Sequence, residues 1–83
     1  MNIKVLGTGC AKCMALEKTV KEVLGEMQLD VSVEEVKDMA RILEYPILTT
    51  PGLVIDEQVV LYGRVPKKEE VRTILQKATQ ERG

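Results

Sequence analysis

The sequence predicts an α/β fold in the order β-α-β-α-β-β-α: a four-stranded mixed sheet with three flanking helices. Three observations carry this prediction. Apolar residues recur at helical spacing in some stretches and alternate every second residue in others. Gly and Pro punctuate the chain into seven short segments. A strand–helix–strand unit followed by a hairpin and a helix implies a mixed sheet with helices packed on it. The length, 83 residues, suits one domain spanning 1–83, well below the ~150 residues per domain that would suggest two. A chain this short buries only roughly 60% of its unfolded surface, so every element must share a thin core.

Ile3 to Leu6 is a brief apolar run ended by Gly7-Thr8-Gly9, which reads as a buried strand and a loop. From Cys13, the residues Leu16, Val20, Val23, Leu24 and Met27 recur at helical spacing. Glu17, Lys18, Lys21, Glu22 and Glu26 occupy the other face, and Glu17 is placed to meet Lys21 one turn on. Val31, Val33 and Glu35 alternate with Ser32, Glu34 and Val36, the period of a strand. Asp38 is an N-cap for a short helix through Met39, Ile42 and Leu43, which Pro46 ends by forcing Tyr45 out of helical geometry. Gly52–Ile55 and Val59–Tyr62 form two strands of a hairpin joined across Asp56-Glu57-Gln58. Val71, Ile74, Leu75 and Ala78 give a last amphipathic helix, with Pro66 suited to its first turn and Lys67-Lys68-Glu69-Glu70 as solvated charge.

Composition excludes several functions. Twelve Lys and Arg against thirteen Asp and Glu leave a net charge of −1, with no basic footprint for nucleic acid and no polybasic patch for a membrane. No apolar run approaches the ~20 residues of a membrane span. Met1-Asn2-Ile3-Lys4-Val5 lacks an apolar signal-peptide core, which points to the cytoplasm. There is no His, so Cys–His and Ser–His catalysis are absent, as is the commonest metal ligand. Tyr45 and Tyr62 are the only aromatics and read as packing residues at element ends. Met27 and Met39 fall at core positions, while Met14 directly follows the second cysteine and reads equally as a site-lining or a packing residue.

The chemistry sits in Gly7-Thr8-Gly9-Cys10-Ala11-Lys12-Cys13, between the first strand and the first long helix. A cysteine at a helix N-terminus meets unpaired backbone N–H groups and the positive end of the helix dipole, and both favour thiolate. Lys12 adds a nearby positive charge and is a candidate for tuning the thiol, although an exposed Lys contributes little. Cys13 lies about one turn along, within reach of Cys10. A bridge closing so short a loop removes little chain entropy from the unfolded state, so it is a poor staple and a better switch. The glycines turn the chain sharply out of the strand and keep the thiol open to a partner's sulfur.

Cys10-Ala11-Lys12-Cys13 after the first strand and Thr49-Thr50-Pro51-Gly52 before the third resemble the thioredoxin and glutaredoxin superfamily. The similarity is strongest to its very small archaeal and bacterial thioredoxin-like members, the redox-active disulfide proteins. It covers nearly the whole chain and implies a thioredoxin-like fold. It implies that Cys10 is the nucleophile and Cys13 the resolving thiol. It further implies that Thr50 pairs through its backbone with a substrate peptide and that Pro51 is a cis-proline beside the sulfurs. On the residues alone, a trans Pro51 opening an edge strand is the commoner case. The sequence departs from thioredoxins in having no Trp and no Pro between the cysteines, and from glutaredoxins in having Gly63 alone where a Gly-Gly pair would help bind glutathione.

Two functions follow. The first is a thiol–disulfide oxidoreductase acting on disulfide-containing protein substrates or small molecules, with no bound cofactor and no metal. The resemblance implies a thioredoxin-reductase-like or ferredoxin-linked electron donor, and a monomer is expected. The second is a carrier of Cu(I) or another heavy metal on the same two thiolates. Such carriers usually follow a ferredoxin-like β-α-β-β-α-β order and place a Met two residues before the first Cys, where this chain has Thr8. This chain also ends on a helix and contains Thr50-Pro51, and these departures favour redox chemistry.

Overall fold

The first strand, β1 (Ile3–Leu6), runs through the middle of the sheet because both of its faces are apolar enough to be covered. The computed structural model describes residues 1–82; Gly83, the last residue of the expected 1–83 domain, lies outside the described residues. A 16-residue helix, α1 (Ala11–Glu26), carries the chain back to β2 (Val33–Val36), which pairs parallel to β1 with Ile3 opposite Val33 and Leu6 opposite Val36. One helical turn, α2 (Met39–Ile42), leads into a loop and then β3 (Gly52–Ile55). The last elements are β4 (Gln58–Tyr62) and α3 (Lys68–Arg82). Among the described residues this is the predicted order, with strands arranged β2-β1-β3-β4 and only the β1–β2 pair parallel.

The sheet separates two cores. Ile3, Val5, Leu53, Ile55 and Leu61 face α1 and α3, which contribute Leu16, Val20, Val23, Leu24, Val71 and Leu75. Leu6, Val36 and Val54 face the other way, toward Ile42, Tyr45 and Ile47. The alternation along β1 makes this possible, because successive side chains of a strand point to opposite faces. Lys4 shares the second face, where its ammonium meets the Tyr45 hydroxyl at 3.2 Å and the Glu57 carboxylate. Glu26 ties α1 to α3 by pairing with both Lys68 and Arg72.

Several local expectations are corrected. Met39 and Leu43 are 51% and 74% exposed, and only Ile42 of α2 is buried. A single turn has room for one inward residue. Strand β2 starts at Val33 rather than Val31 because β1 starts at Ile3 and offers no earlier partner. The hairpin turn is two residues long, not three: Asp56 and Glu57 both have positive φ (51° and 66°), while Gln58 already pairs with Ile55. Residues of positive φ at both central positions match the right-handed twist of the strands. Pro66 is buried ahead of α3 rather than in its first turn, since α3 begins at Lys68.

Candidate active site

The last β1 residue, Leu6, pairs with Gly52, the first residue of β3. Neighbouring strands lie about 4.8 Å apart, so the loop leaving β1 and the segment entering β3 emerge side by side at one end of the sheet. The first carries Cys10 and Cys13; the second carries Thr50 and Pro51. Gly9 sits at φ +92°, a backbone conformation that lets the chain swing out of the strand line and into α1.

Cys10 is the N-cap of α1, with extended backbone (φ −68°, ψ 167°) and a carbonyl that accepts from Met14 N–H at 3.0 Å. Its Sγ accepts from the Cys13 backbone N–H at 3.3 Å and lies 2.6 Å from the Cys13 Sγ. Both cysteines are free thiols. They are chemically unequal. Cys10 is exposed, whereas Cys13 is 4% exposed and belongs to the interior. The hydrogen bond from the Cys13 thiol, followed by the Cys13 backbone N–H, holds the Cys10 thiol below the ordinary range, with a smaller part from the Lys12 N–H. Burial, and then the Cys10 sulfur, push the Cys13 thiol up. The two shifts have one physical origin: the negative charge of the pair is favoured where solvent and unpaired helix N–H groups reach it, and disfavoured one turn deeper. Lys12 therefore acts on Cys10 through its backbone, while its side chain points to solvent, a different route from the ammonium charge expected of it.

Pro51 is fully buried and the Thr50–Pro51 peptide is cis. The Pro51 carbonyl is taken by the Gly63 N–H at 2.8 Å, and Thr50 remains partly exposed. Gly63 is the residue that sequence reasoning missed. Its local sequence shows only an incomplete glutathione motif, yet at φ +83° it anchors Pro51, and a Cβ on it would come within 2.9 Å of Thr49 Cγ2. Only the pairing of Gly52 with Tyr62, the neighbour of Gly63, reveals it.

Met14 is 64% exposed and lines, with Gly7, Gly9, Cys13, Glu17 and Glu35, a crevice of about 10 Å³. Such a space holds roughly one water. Of the two sulfurs, that of Cys10 stands at the surface, with Cys13 buried behind it. Among the described residues no three His, Cys, Asp or Glu side chains cluster to hold a metal ion, and no helix is long and apolar enough to cross a membrane.

A parallel β-α-β unit, an antiparallel hairpin and a closing helix, with a Cys-x-x-Cys pair capping the first long helix, define the thioredoxin-like class. The chain belongs to the thioredoxin domain family, whose model matches residues 1–76. It is 43% identical over 75 residues to a thioredoxin of Methanothermobacter thermautotrophicus, a match covering 90% of this chain and 97% of that one. It is 34% identical over 70 residues to a thioredoxin of Methanocaldococcus jannaschii, covering 84% and 80% respectively. Family and dithiol pair together mark a thiol–disulfide oxidoreductase.

Proposed function

We propose that this chain reduces disulfides of protein partners, with Cys10 as the attacking thiolate and Cys13 as the resolving thiol. The observation that carries the assignment is the inequality of the two sulfurs across 2.6 Å, one exposed and made more acidic, the other buried and made less so. In the first step the Cys10 thiolate attacks one sulfur of the partner disulfide. A Cys10–partner bond forms, the partner's S–S bond breaks, and the departing partner thiolate takes a proton from water. In the second step Cys13 gives its proton to water and its thiolate attacks Cys10 Sγ. The Cys10–Cys13 bond forms as the mixed disulfide breaks, and the second partner sulfur leaves reduced. Two electrons have passed to the partner, and the exchange uses no bound cofactor.

Thr50 offers backbone to an extended segment of the partner, beside a Pro51 whose ring nitrogen carries no competing donor. The exposure of Cys10 leaves its sulfur open to a disulfide presented on a protein surface. The oxidised chain is returned to the dithiol by a thioredoxin-reductase-like or ferredoxin-linked donor in the cytoplasm, and the chain works there as a monomeric single domain.

The test uses two serine variants. Each is incubated with cell extract, alkylated and run on a non-reducing gel beside the wild type. Cys13→Ser is expected to accumulate reductant-sensitive adducts, because the bond to the partner forms and nothing breaks it; Cys10→Ser is expected to form none. A Cu(I) carrier would lose metal in both variants and accumulate partners in neither. That outcome, with stoichiometric Cu(I) in the wild type, would overturn the assignment.

A further inference from the structure

We propose that Gly7 is a positioning residue of the exchange: its missing side chain is the seat that holds the Cys13 sulfur behind Cys10. The inference rests on the roles proposed above for the two thiols. A Cβ on Gly7 would overlap the Cys13 Sγ outright and come within 2.9 Å of the Cys13 Cβ. Neither backbone can yield cheaply, so it is the Cys13 side chain that must move. Gly7 is buried at the end of β1, and its N–H is held by the Val36 carbonyl of β2 at 3.0 Å. Cys13 is in the first turn of α1, whose start is fixed by the Cys10 cap.

The neighbouring Gly9 sharpens the point. Gly9 has positive φ, and a Cβ there would meet nothing within 4 Å, so it is needed for its backbone. Gly7 lies outside the positive-φ region and is needed for its emptiness. Two glycines of one loop therefore do different work. With Gly7 filled, the Cys13 sulfur must leave the position from which it both donates to Cys10 and attacks it. Misplacing reacting atoms by about 1 Å can cost on the order of 100-fold in rate.

The test separates the two thiols by using a chromogenic aryl disulfide, 5,5′-dithiobis(2-nitrobenzoate), as the probe. Attack by Cys10 releases one coloured thiolate, and attack by Cys13 on the mixed disulfide releases the second. Gly7→Ala is expected to raise the pH midpoint of Cys10 alkylation, since Cys10 loses the thiol that donates to it, to keep the first release with its rate lowered only as far as that midpoint requires, and to slow the second by on the order of 100-fold. An unchanged second phase and midpoint would overturn the proposal. Stability supplies a second measurement in case Gly7→Ala folds poorly. The drop in melting temperature it causes should be at least halved in a Cys13→Ala background, because the overlap with Sγ is gone. Equal losses in both backgrounds, or failure of the double variant to fold, would overturn it equally. The proposal also fails separately from the exchange mechanism. Cys13→Ser that traps nothing removes the exchange and leaves the stability cycle standing, while an unchanged second phase in Gly7→Ala removes the seat and leaves the exchange.

Discussion

Cys10 and Cys13 share one helical turn, so their difference must come from what surrounds each sulfur. Brief alkylation of the reduced protein near neutral pH should label Cys10 well before Cys13. As pH rises, Cys10 labelling should level off first and Cys13 labelling should go on climbing, because the thiolate is the reactive form and only Cys13 has its ionisation pushed up. Equal labelling at every pH, read by mass spectrometry, would remove the assigned roles. Stability has a matching sign. A buried thiol kept protonated contributes nothing pH-dependent below the ordinary thiol range, where folded and unfolded chains are both protonated. Above it the unfolded chain ionises first, and stability is lost as pH rises through the raised folded value. Cys10→Ser, which keeps Cys13 buried, should therefore lose more melting temperature between pH 7 and pH 9.5 than the double serine variant does. Lys12 gives a contrasting case. Its ammonium is exposed and screened, so Lys12→Gln should change the Cys10 alkylation rate by no more than about twofold. The pair of thiols was legible from its spacing and its place before a helix. Gly63 was not, because strand pairing brings it to the carbonyl of Pro51, twelve positions earlier in the chain, and no local pattern shows this.

Caps and turns decide how each element enters the site. Asp38 was legible as a cap, and its Oδ1 accepts from the Ala40 N–H at 2.9 Å. Asp38→Ala should cost about 1 kcal/mol in urea denaturation while leaving thiol reactivity alone. The β3–β4 turn is one residue shorter than the sequence pattern suggests, for a specific reason. Turns of this hand are usually announced by Asn-Gly or Asp-Gly, whereas here Glu57 takes the left-handed position that glycine would occupy. Its carboxylate is engaged with Lys4, a tertiary contact spanning the sheet that no local pattern displays. The α1–α3 link through Glu26 is exposed on the surface, so its effect should depend on salt. Glu26→Gln should lower the melting temperature at low ionic strength and do so much less in 1 M NaCl, where the Debye length falls to about 3 Å. A loss independent of salt would mean that packing, not charge, makes the link.

At the scale of the whole molecule, the element order and the mixed, helix-flanked sheet were legible from the apolar periodicities, whereas the spatial order β2-β1-β3-β4 and the two opposed faces of β1 depend on which strands pair, which no local pattern displays. The exposed α2 was less so, since one turn is too short for periodicity to say which residue points inward. The core itself is thin. Leu16 and Leu75 are completely buried between the helices and the sheet, and Leu75→Ala should cost roughly 2–5 kcal/mol. In so small a domain that is a large share of the total, and the variant should be substantially unfolded at 37 °C by circular dichroism. The outer strands bear on how the chain meets other proteins. On β2, Glu34 and Glu35 are both exposed; on β4, Val54 pairs with Val59 and Leu53 with Leu61, so Val60 is an extra residue that breaks the ladder. Charge on one edge and a bulge on the other are two of the devices by which sheets resist growing sideways. Sedimentation should accordingly be invariant over a tenfold range of concentration. With polymerisation through the sheet discouraged, the hold on another protein under the exchange proposed above is a sulfur–sulfur bond at Cys10 beside the Thr50 backbone, and it lasts only until Cys13 arrives.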